Sequence, residues 1–292
     1  MYKSNINLNL YKTFYEVCKY ENISKTAENT FISQSAISKS IKRLESELQT
    51  KLFIRNKNGV VLTDKGKELL YFVEKSYNNL IIAERSMKET DNLDRGKISI
   101  GMPSNIGTFY LFDKIIDFHK KFPNIEITII TGGTSKLLTL LDSHEVDFIV
   151  DTYPINDIKE GLQLKELFEV EYCFAIKKGS KICNSNLIKS INDIKDYPLI
   201  LPIKNTENRN NLDEFLRKNN VEINNVLNIH TSEIILSFLK KDLGIGYLIK
   251  NLVDDDLEIL NIKDLPKSKV GIVYDKKYLT TAPKKFIEMY LL

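Results

Sequence analysis

The chain has 292 residues, 42% of them hydrophobic and 28% charged, with a net charge of +3, a length that suits two or three folded units and a composition typical of globular proteins. No run approaches ~18 consecutive apolar residues, which argues against a transmembrane helix, and the opening Met-Tyr-Lys-Ser-Asn-Ile-Asn leads into an amphipathic segment without an export core, so no signal peptide is expected. Cys18, Cys173 and Cys183 are too few for a disulfide framework, which favours a reducing cytoplasm; with no apolar span, no membrane partner is expected.

The charge is unevenly spread. Residues 1–60 carry ten Lys/Arg against five Glu, a net of +5, and the rest of the chain is left at −2. A basic head on a slightly acidic body suggests a polyanion partner for the head alone, although chance asymmetry on a solvated surface gives the same sum.

In chain order, Leu8, Leu10, Tyr11, Phe14, Tyr15 and Val17 predict a helix over about 7–20. Ser24 is expected to cap a short helix from Lys25 to Asn29 that buries Ala27. Thr30-Phe31-Ile32 makes a turn. Ser33 then caps a third helix from Gln34 to about Leu48, whose apolar positions Ile37, Ile41, Leu44 and Leu48 step by four, three and four and form one buried stripe. Ser35, Ser38, Lys39, Lys42, Arg43 and Ser46 lie off that stripe.

A short helix, a tight turn and a longer helix with a polar, basic outer face describe a helix-turn-helix. Ser33, Gln34 and Ser35 at the start of the third helix can exchange hydrogen bonds with base edges, and its Lys and Arg can neutralise phosphates. A three-helix bundle with a solvated basic face fits the same periodicity. The next segment discriminates: Leu52-Phe53-Ile54-Arg55 and Val60-Val61-Leu62-Thr63 flank Lys57-Asn58-Gly59, and Asn-Gly between apolar runs signals a β-hairpin. A hairpin directly after a recognition helix is a wing, and Arg55 and Lys57 at its tip can reach the flanking backbone or minor groove.

The run Ser33-Gln34-Ser35-Ala36-Ile37-Ser38-Lys39-Ser40-Ile41-Lys42-Arg43-Leu44-Glu45, followed by Leu52-Phe53-Ile54-Arg55 and Leu62-Thr63-Asp64-Lys65-Gly66, resembles the signature of LysR-type transcriptional regulators, densely over residues 8–66. The resemblance implies that Gln34, Ser35, Ser38 and Lys39 face bases, and that Lys42, Arg43 and Arg55 hold phosphates. Three positions depart from the pattern: Thr26 stands at the first of two usual alanines, Thr30 at a common leucine, and Gln49 at the glycine that normally ends the recognition helix in a left-handed cap.

Asp64 is expected to cap a helix reaching about Lys88. Leu69, Val73, Ser76, Leu80, Ala83 and Met87 form a heptad seam suited to a second copy of itself, with Leu69, Val73, Leu80, Ala83 and Met87 as the dimerisation positions; an ordinary helix lying on its own domain is the alternative. The resemblance implies a linker helix that pairs two heads. The expected division is a winged helix-turn-helix over 1–63, a linker over 64–90, a hinge over 91–96 and an effector domain over 97–292.

From Lys97 strand and helix alternate: Ile98–Met102, Thr108–Phe122, Ile125–Ile130, Ser135–Asp142 and Val146–Val150. After Gly161 come Tyr172–Ile176, Leu199–Leu201, Glu207–Asn219, Val226–His230, Glu233–Lys241, Gly244–Leu248 and a final strand and helix within Lys269–Leu292. Two α/β subdomains, 97–161 with 267–292 and 162–266, resemble the type II periplasmic-binding-protein fold of the family's sensor domain.

Such a domain binds ligands between its lobes, where strand ends and helix N-termini converge. Pro103-Ser104-Asn105, Gly132-Gly133-Thr134-Ser135, Lys204-Asn205-Thr206 and His230-Thr231-Ser232 sit at such positions, and each is equally readable as a plain helix cap. Their hydroxyls, amides and free N–H donors suit a small organic anion. The effector set is therefore Ser104, Asn105, Thr134, Ser135, Lys204, Thr206, His230 and Thr231, with Arg209 as a further balancing charge; the resemblance implies Ser104, Thr134 and the loop around Thr206.

Enzyme chemistry is not visible. His119, His144 and His230 lack metal-ligand spacing, no Gly-x-Ser-x-Gly elbow or phosphate loop occurs, and Gly244-Ile245-Gly246 is too short for a dinucleotide fingerprint, so no cofactor or metal is expected. A redox switch at Cys173 or Cys183 is disfavoured, because Cys173 falls in an apolar strand and neither matches the loop that carries the switch in redox-sensing relatives. The expected partners are double-stranded DNA bearing an interrupted inverted repeat, a small-molecule effector, a second copy of the chain in a dimer or tetramer, and RNA polymerase. A solute-binding receptor with an accessory head, or an enzyme on the same scaffold, are the rival readings.

Overall fold

A computed structural model describes residues 6–56, 59–88, 93–153, 158–159 and 161–292. The chain divides into two compact units: the first runs to Met87 and takes in Asp142–Glu145, and the second comprises Lys88–Leu141 and Val146–Leu292.

In the first unit α1 (Leu8–Tyr20), α2 (Ile23–Thr30) and α3 (Gln34–Leu48) precede β1 (Phe53–Asn56), β2 (Gly59–Leu62) and α4 (Asp64–Lys88). The apolar stripes read in the sequence meet in one core, in which Phe14, Val17, Ile37, Leu44 and Leu52 are almost wholly buried. Fully burying one such side chain contributes about 1.5–3 kcal/mol. Phe14 of α1 packs on Phe53 of β1 with ring centroids 5.4 Å apart, which ties the helices to the wing.

The caps differ in part from expectation. Asn22, not Ser24, caps α2: its Oδ1 accepts the N–H groups of Ser24 and Lys25, so the helix starts two residues earlier than predicted. Ser33 caps α3, accepting the N–H of Ala36. Thr63, not Asp64, caps α4: its Oγ1 accepts the N–H of Gly66 at 2.9 Å and donates to the Lys51 carbonyl at 2.7 Å. Hydroxyls near a helix start compete well for its unsatisfied N–H groups, and the choice among neighbouring candidates falls to the one with extended backbone.

The three departures from the family pattern are accommodated locally. Thr26, 1% exposed, donates its hydroxyl to the Asn22 carbonyl, and Thr30 donates to the Thr26 carbonyl. Gln49 takes the left-handed conformation, φ 51°, and its N–H reaches the Glu45 and Ser46 carbonyls.

β1 and β2 pair antiparallel from Phe53↔Leu62 to Asn56↔Gly59. The two connecting residues, Lys57 and Asn58, lie outside the described residues, as does the Arg55 side chain. Gly59, at φ 143°, packs so tightly that an added Cβ would meet the Glu21 carbonyl oxygen, and the next N–H, of Val60, donates to that oxygen.

The second unit carries a nine-stranded sheet in the order β4-β3-β5-β11-β6-β9-β7-β8, with β10 (Leu257–Ile259) pairing β6. β3 (Gly96–Met102) lies parallel to β4 (Ile125–Thr131) and β5 (Phe148–Tyr153); β7 (Leu199–Pro202) lies parallel to β8 (Val226–Ile229) and β9 (Ile245–Ile249). Two antiparallel strands join these halves: β6 (Gln163–Lys177) and β11 (Lys267–Tyr274). β6 pairs with β11 through residues 163–171 and with β9 through residues 172–175, so one 15-residue strand belongs to both halves. Only its apolar second half was visible as a strand; Lys165, Glu166 and Glu169 obscured the first.

Helices α5 (Ser104–Ile106) and α6 (Phe112–Lys121) flank a π-helical turn, Gly107–Leu111, so this segment starts four residues before the expected Thr108. α7 (Thr134–Asp142), α8 (Glu207–Lys218), α9 (Ser232–Lys240) and α10 (Thr281–Tyr290) complete the unit. Of the expected hinge, residues 91–92 lie outside the described residues, and Gly96 already opens β3. This is a helical winged helix-turn-helix head with a two-lobed α/β domain. No helix among the described residues is long and apolar enough to cross a membrane.

Candidate functional sites

In the first unit the side of α3 opposite Ile37, Ile41 and Leu44 is solvent-facing. Ser33, Gln34, Ser35, Lys39, Lys42 and Arg43 are exposed and Ser38 is half-buried, so the structure brings the base-facing and phosphate-facing candidates onto one surface. Arg43 Nε donates to Glu47 Oε1 at 2.9 Å, an exposed pair whose opening costs little. Ser33 Oγ lies 3.1 Å from Ser35 Oγ. Arg55 Cα pairs with Val60 in the wing, and Lys57 falls outside the described residues.

The orientation of α3 depends on Glu45. Its carboxylate accepts the Leu52 and Phe53 N–H groups and the Lys51 ammonium. Burial alone raises its pKa, but these donors outweigh burial and hold it below the usual value. This anchor was missed in the sequence because a charged residue at that position reads as surface.

On α4, Leu69 and Val73 are half-buried against the core of their own unit. Leu80 and Met87 are exposed, at 59% and 82%, with Ala83 between them. Phe72, 59% exposed, extends that outer line toward the start of the helix, at the spacing 72, 76, 80, 83, 87.

In the second unit a cleft of about 880 Å3 opens where the C-terminal ends of β3, β4, β5 and β7 meet the starts of α7 and α8. Asn105, Thr134, Ser135 and Thr206 line it. Ser104, Lys204, His230 and Thr231 are not among its lining residues. Ser104 Oγ donates instead to Glu233 Oε2, and Arg209, 3% exposed, donates to Asp213, the Pro202 carbonyl and Asn228. A guanidinium so engaged holds α8 to the sheet and is not available to a ligand.

The sequence reading missed two acids. Asp151, 2% exposed at the end of β5, lines the cleft and accepts from the Thr134 hydroxyl at 2.7 Å and the Thr152 N–H at 2.7 Å. Burial raises its pKa to about 6, helped by the charge of Glu207. Glu207, first residue of α8, also lines the cleft; it accepts from Ser268 and Asn211, and burial raises its pKa as well. Tyr172 joins them on the floor, its hydroxyl pushed up by burial. An acid directly after the buried run Phe148–Val150 was the available signal, since ligands gather at strand C-termini. Among the described residues no group of three or more His, Cys, Asp or Glu is set to hold a metal.

The cysteines are free, Cys173 and Cys183 buried and Cys18 partly so. Burial pushes the Cys18 and Cys173 thiols up to about 12 and raises Cys183.

A basic exposed face on a winged helix-turn-helix head and a two-lobed α/β domain with a polar cleft are the parts of a DNA-binding regulator that carries a ligand-binding domain. The family models "Bacterial regulatory helix-turn-helix protein, lysR family" and "LysR substrate binding domain" match residues 8–67 and 91–291. The HTH-type transcriptional regulator SoxR of Arthrobacter sp. (strain TE1826) is 29% identical over 287 residues, covering 94% of this chain and 93% of that one. Full-length OxyR from Pseudomonas aeruginosa superposes with a TM-score of 0.72 at 18% identity, covering 98% of each chain. CbnR in complex with its target DNA superposes at 0.55 and 13%, again covering 98% of each. The chain belongs to the LysR family of transcriptional regulators, and it is a DNA-binding regulator with a substrate-binding domain, not an enzyme.

Proposed function

We propose that the chain works in the cytoplasm as a homo-oligomer, dimeric at minimum, that sets two copies of α3 into successive major grooves of an interrupted inverted repeat. The observation that carries this is the exposed Gln34–Arg43 face of α3, with the wing directly after it. The outer line Phe72, Leu80, Ala83 and Met87 on α4 suits a second copy of the helix. In this reading Gln34, Ser35, Ser38 and Lys39 meet bases; Lys42, Arg43, Arg55 and Lys57 meet phosphates.

The 880 Å3 cleft takes a small organic effector whose anionic group is received by the first N–H groups of α7. Binding changes the closure of the lobes, and α4 carries that change to the heads, altering contact with RNA polymerase. An effector acts only by preferring one state, because equal affinity shifts nothing.

Selection of bound fragments from the source genome, with and without candidate metabolites, tests the proposal. Enriched fragments should share an inverted repeat whose half-sites lie about one helical turn, or a multiple, apart. Failure of the full chain to retain any duplex at low ionic strength would overturn it.

A further inference from the structure

The charge of the cleft floor is opposite to what an anion alone needs. Asp151 is 2% exposed and Glu207 is largely buried, yet neither has an ion pair to Lys or Arg among the described residues. Asp151 accepts from the Thr134 hydroxyl and from the Thr152 N–H and hydroxyl, and it feels the repelling charge of Glu207. The hydrogen-bond partners of Glu207 are the neutral side chains of Ser268, Asn211 and Thr152. Two mutually repelling carboxylates, desolvated and without an ion pair of their own, are costly to maintain; Lys136 and Lys159 line the same cleft, but neither is paired with Asp151 or Glu207. Both acids face the cavity, which supplies the room for the missing partner.

The anion-receiving feature sits beside them. The turn Gly132-Gly133 and the start of α7 at Thr134 and Ser135 line the same cleft, and Thr134 itself donates its hydroxyl to Asp151. The helix start favours negative charge and the floor favours positive charge, within one small chamber.

From this juxtaposition we infer that the effector is an aminocarboxylate, with a protonated amine seated against Asp151 and Glu207 and a carboxylate at the start of α7. The inference rests on the reading of this cleft as the effector site. An ammonium has three donors and two acids have several open lone pairs, so the amine satisfies both charge and hydrogen bonding at once. An amine-free acid would leave both floor acids unpaired and add a third negative charge to the same cleft, which disfavours it.

The test uses the full chain and matched probes. Thermal melts at pH 7.5 compare the protein amino acids, β-alanine and γ-aminobutyrate with their amine-free counterparts, such as propionate for alanine and succinate for aspartate. At least one amino compound should raise the melting temperature while its amine-free counterpart does not. Its affinity should fall tenfold or more in Asp151→Asn and in Glu207→Gln, both checked for a cooperative melt without ligand. The inference is overturned if no amino compound stabilises the chain, or if both variants retain the full effect. It is also overturned if an amine-free acid stabilises equally. In that last case hydrogen exchange separates the two levels: protection at residues 134–138 and 205–211 retains the cleft as the effector site, and protection elsewhere removes that reading too.

Discussion

The carboxylate of Glu45 accepts the backbone N–H of Leu52 at 2.9 Å, so the helix offered to the bases and the strand that opens the wing are held by one buried hydrogen bond. Glu45 also accepts from Phe53 N–H, and both donors lie where water does not readily replace an acceptor. Glu45→Ala should therefore cost about 2 kcal/mol through the orphaned N–H groups. Lys51→Ala should cost well under half of that, because the Lys51 side chain is 77% exposed and its ion pair is screened. Because Glu45 is held below the ordinary carboxylate range, its contribution is complete above that range and is lost as pH falls through its folded value. Urea denaturation of the full chain at pH 7 and at pH 3–4 checks both points; equal losses in the two variants would refute the assignment.

On the proposed reading, base reading and phosphate holding should separate on α3. Lys39→Ala should relax sequence preference and cost about 1–3 kcal/mol on the specific site. Arg43→Ala should weaken all sequences alike and reduce the slope of log affinity against log salt by about 1. The Arg43–Glu47 pair does not obstruct this, since the Arg43 side chain is 64% exposed and can leave it cheaply. Binding titrations across salt concentrations on specific and scrambled duplexes decide the matter. A Lys39→Ala protein with unchanged affinity and preference would displace α3 from the reading role.

Self-association through α4 is tested at its exposed positions. Leu80→Asp and Met87→Asp remove little packing from the single chain, because both side chains lie mostly in solvent. Each should leave the melting curve of the monomeric unit intact and weaken the oligomer at least tenfold, about 1.4 kcal/mol, in sedimentation or mass photometry. Unchanged association in both variants would place the dimer contact elsewhere. Leu69→Asp, by contrast, should unfold the head, since Leu69 packs on the core around Phe14 and Leu52.

How much of this was legible in the sequence follows from which signals are local. The helix stripe Ile37, Ile41, Leu44, Leu48 and the wing flanking Asn58-Gly59 depend on neighbours a few residues away, and their positions agree with α3, β1 and β2. The caps at Asn22 and Thr63 were misplaced by one or two residues, because several adjacent side chains can accept an N–H and only backbone conformation selects among them. The seam on α4 was read through Leu69 and Val73, which turn out to face their own core, while Phe72 takes the outer line; a heptad alone does not say which apolar neighbour a helix covers. In the cleft, Thr134, Ser135, Asn105 and Thr206 were found because they sit at helix starts, whereas Asp151 and Glu207 come together from residues 56 positions apart by folding alone. Arg209 was assigned to the ligand on charge, but Asp213 one turn along its own helix, the Pro202 carbonyl of β7 and Asn228 of β8 accept from it, and only folding brings the last two to it.

The thiols should be inert in the native chain. A thiolate is the reactive form, and burial pushes Cys18 and Cys173 up to about 12 and lifts Cys183. Iodoacetamide at pH 7.5 should label the folded protein far more slowly than the same protein in urea, and micromolar peroxide should leave DNA binding unchanged. Rapid labelling of Cys173 or Cys183 in the folded chain, read by mass spectrometry, would reinstate a redox role.

Asp151 gives the sharpest dependence on pH. Burial and the neighbouring Glu207 raise its carboxyl from 3.8 to about 6 in the folded chain, while in the unfolded chain it keeps the ordinary value. Below about pH 4 both states hold the proton and the group imposes no penalty; between pH 4 and 6 the unfolded state ionises first, so stability falls as pH rises, by about 3 kcal/mol in total. Asp151→Asn removes this term, because the amide stays neutral while its oxygen still accepts the Thr152 N–H, and the contact with Thr134 survives with the donor reversed. The variant should match the parent near pH 4 and melt higher at pH 7.5, the gap opening across the interval between. A gap independent of pH would show that the carboxylate is not desolvated. A chain that becomes more stable on losing a buried charge retains that charge for something other than folding, which is the relation expected of a ligand-facing group.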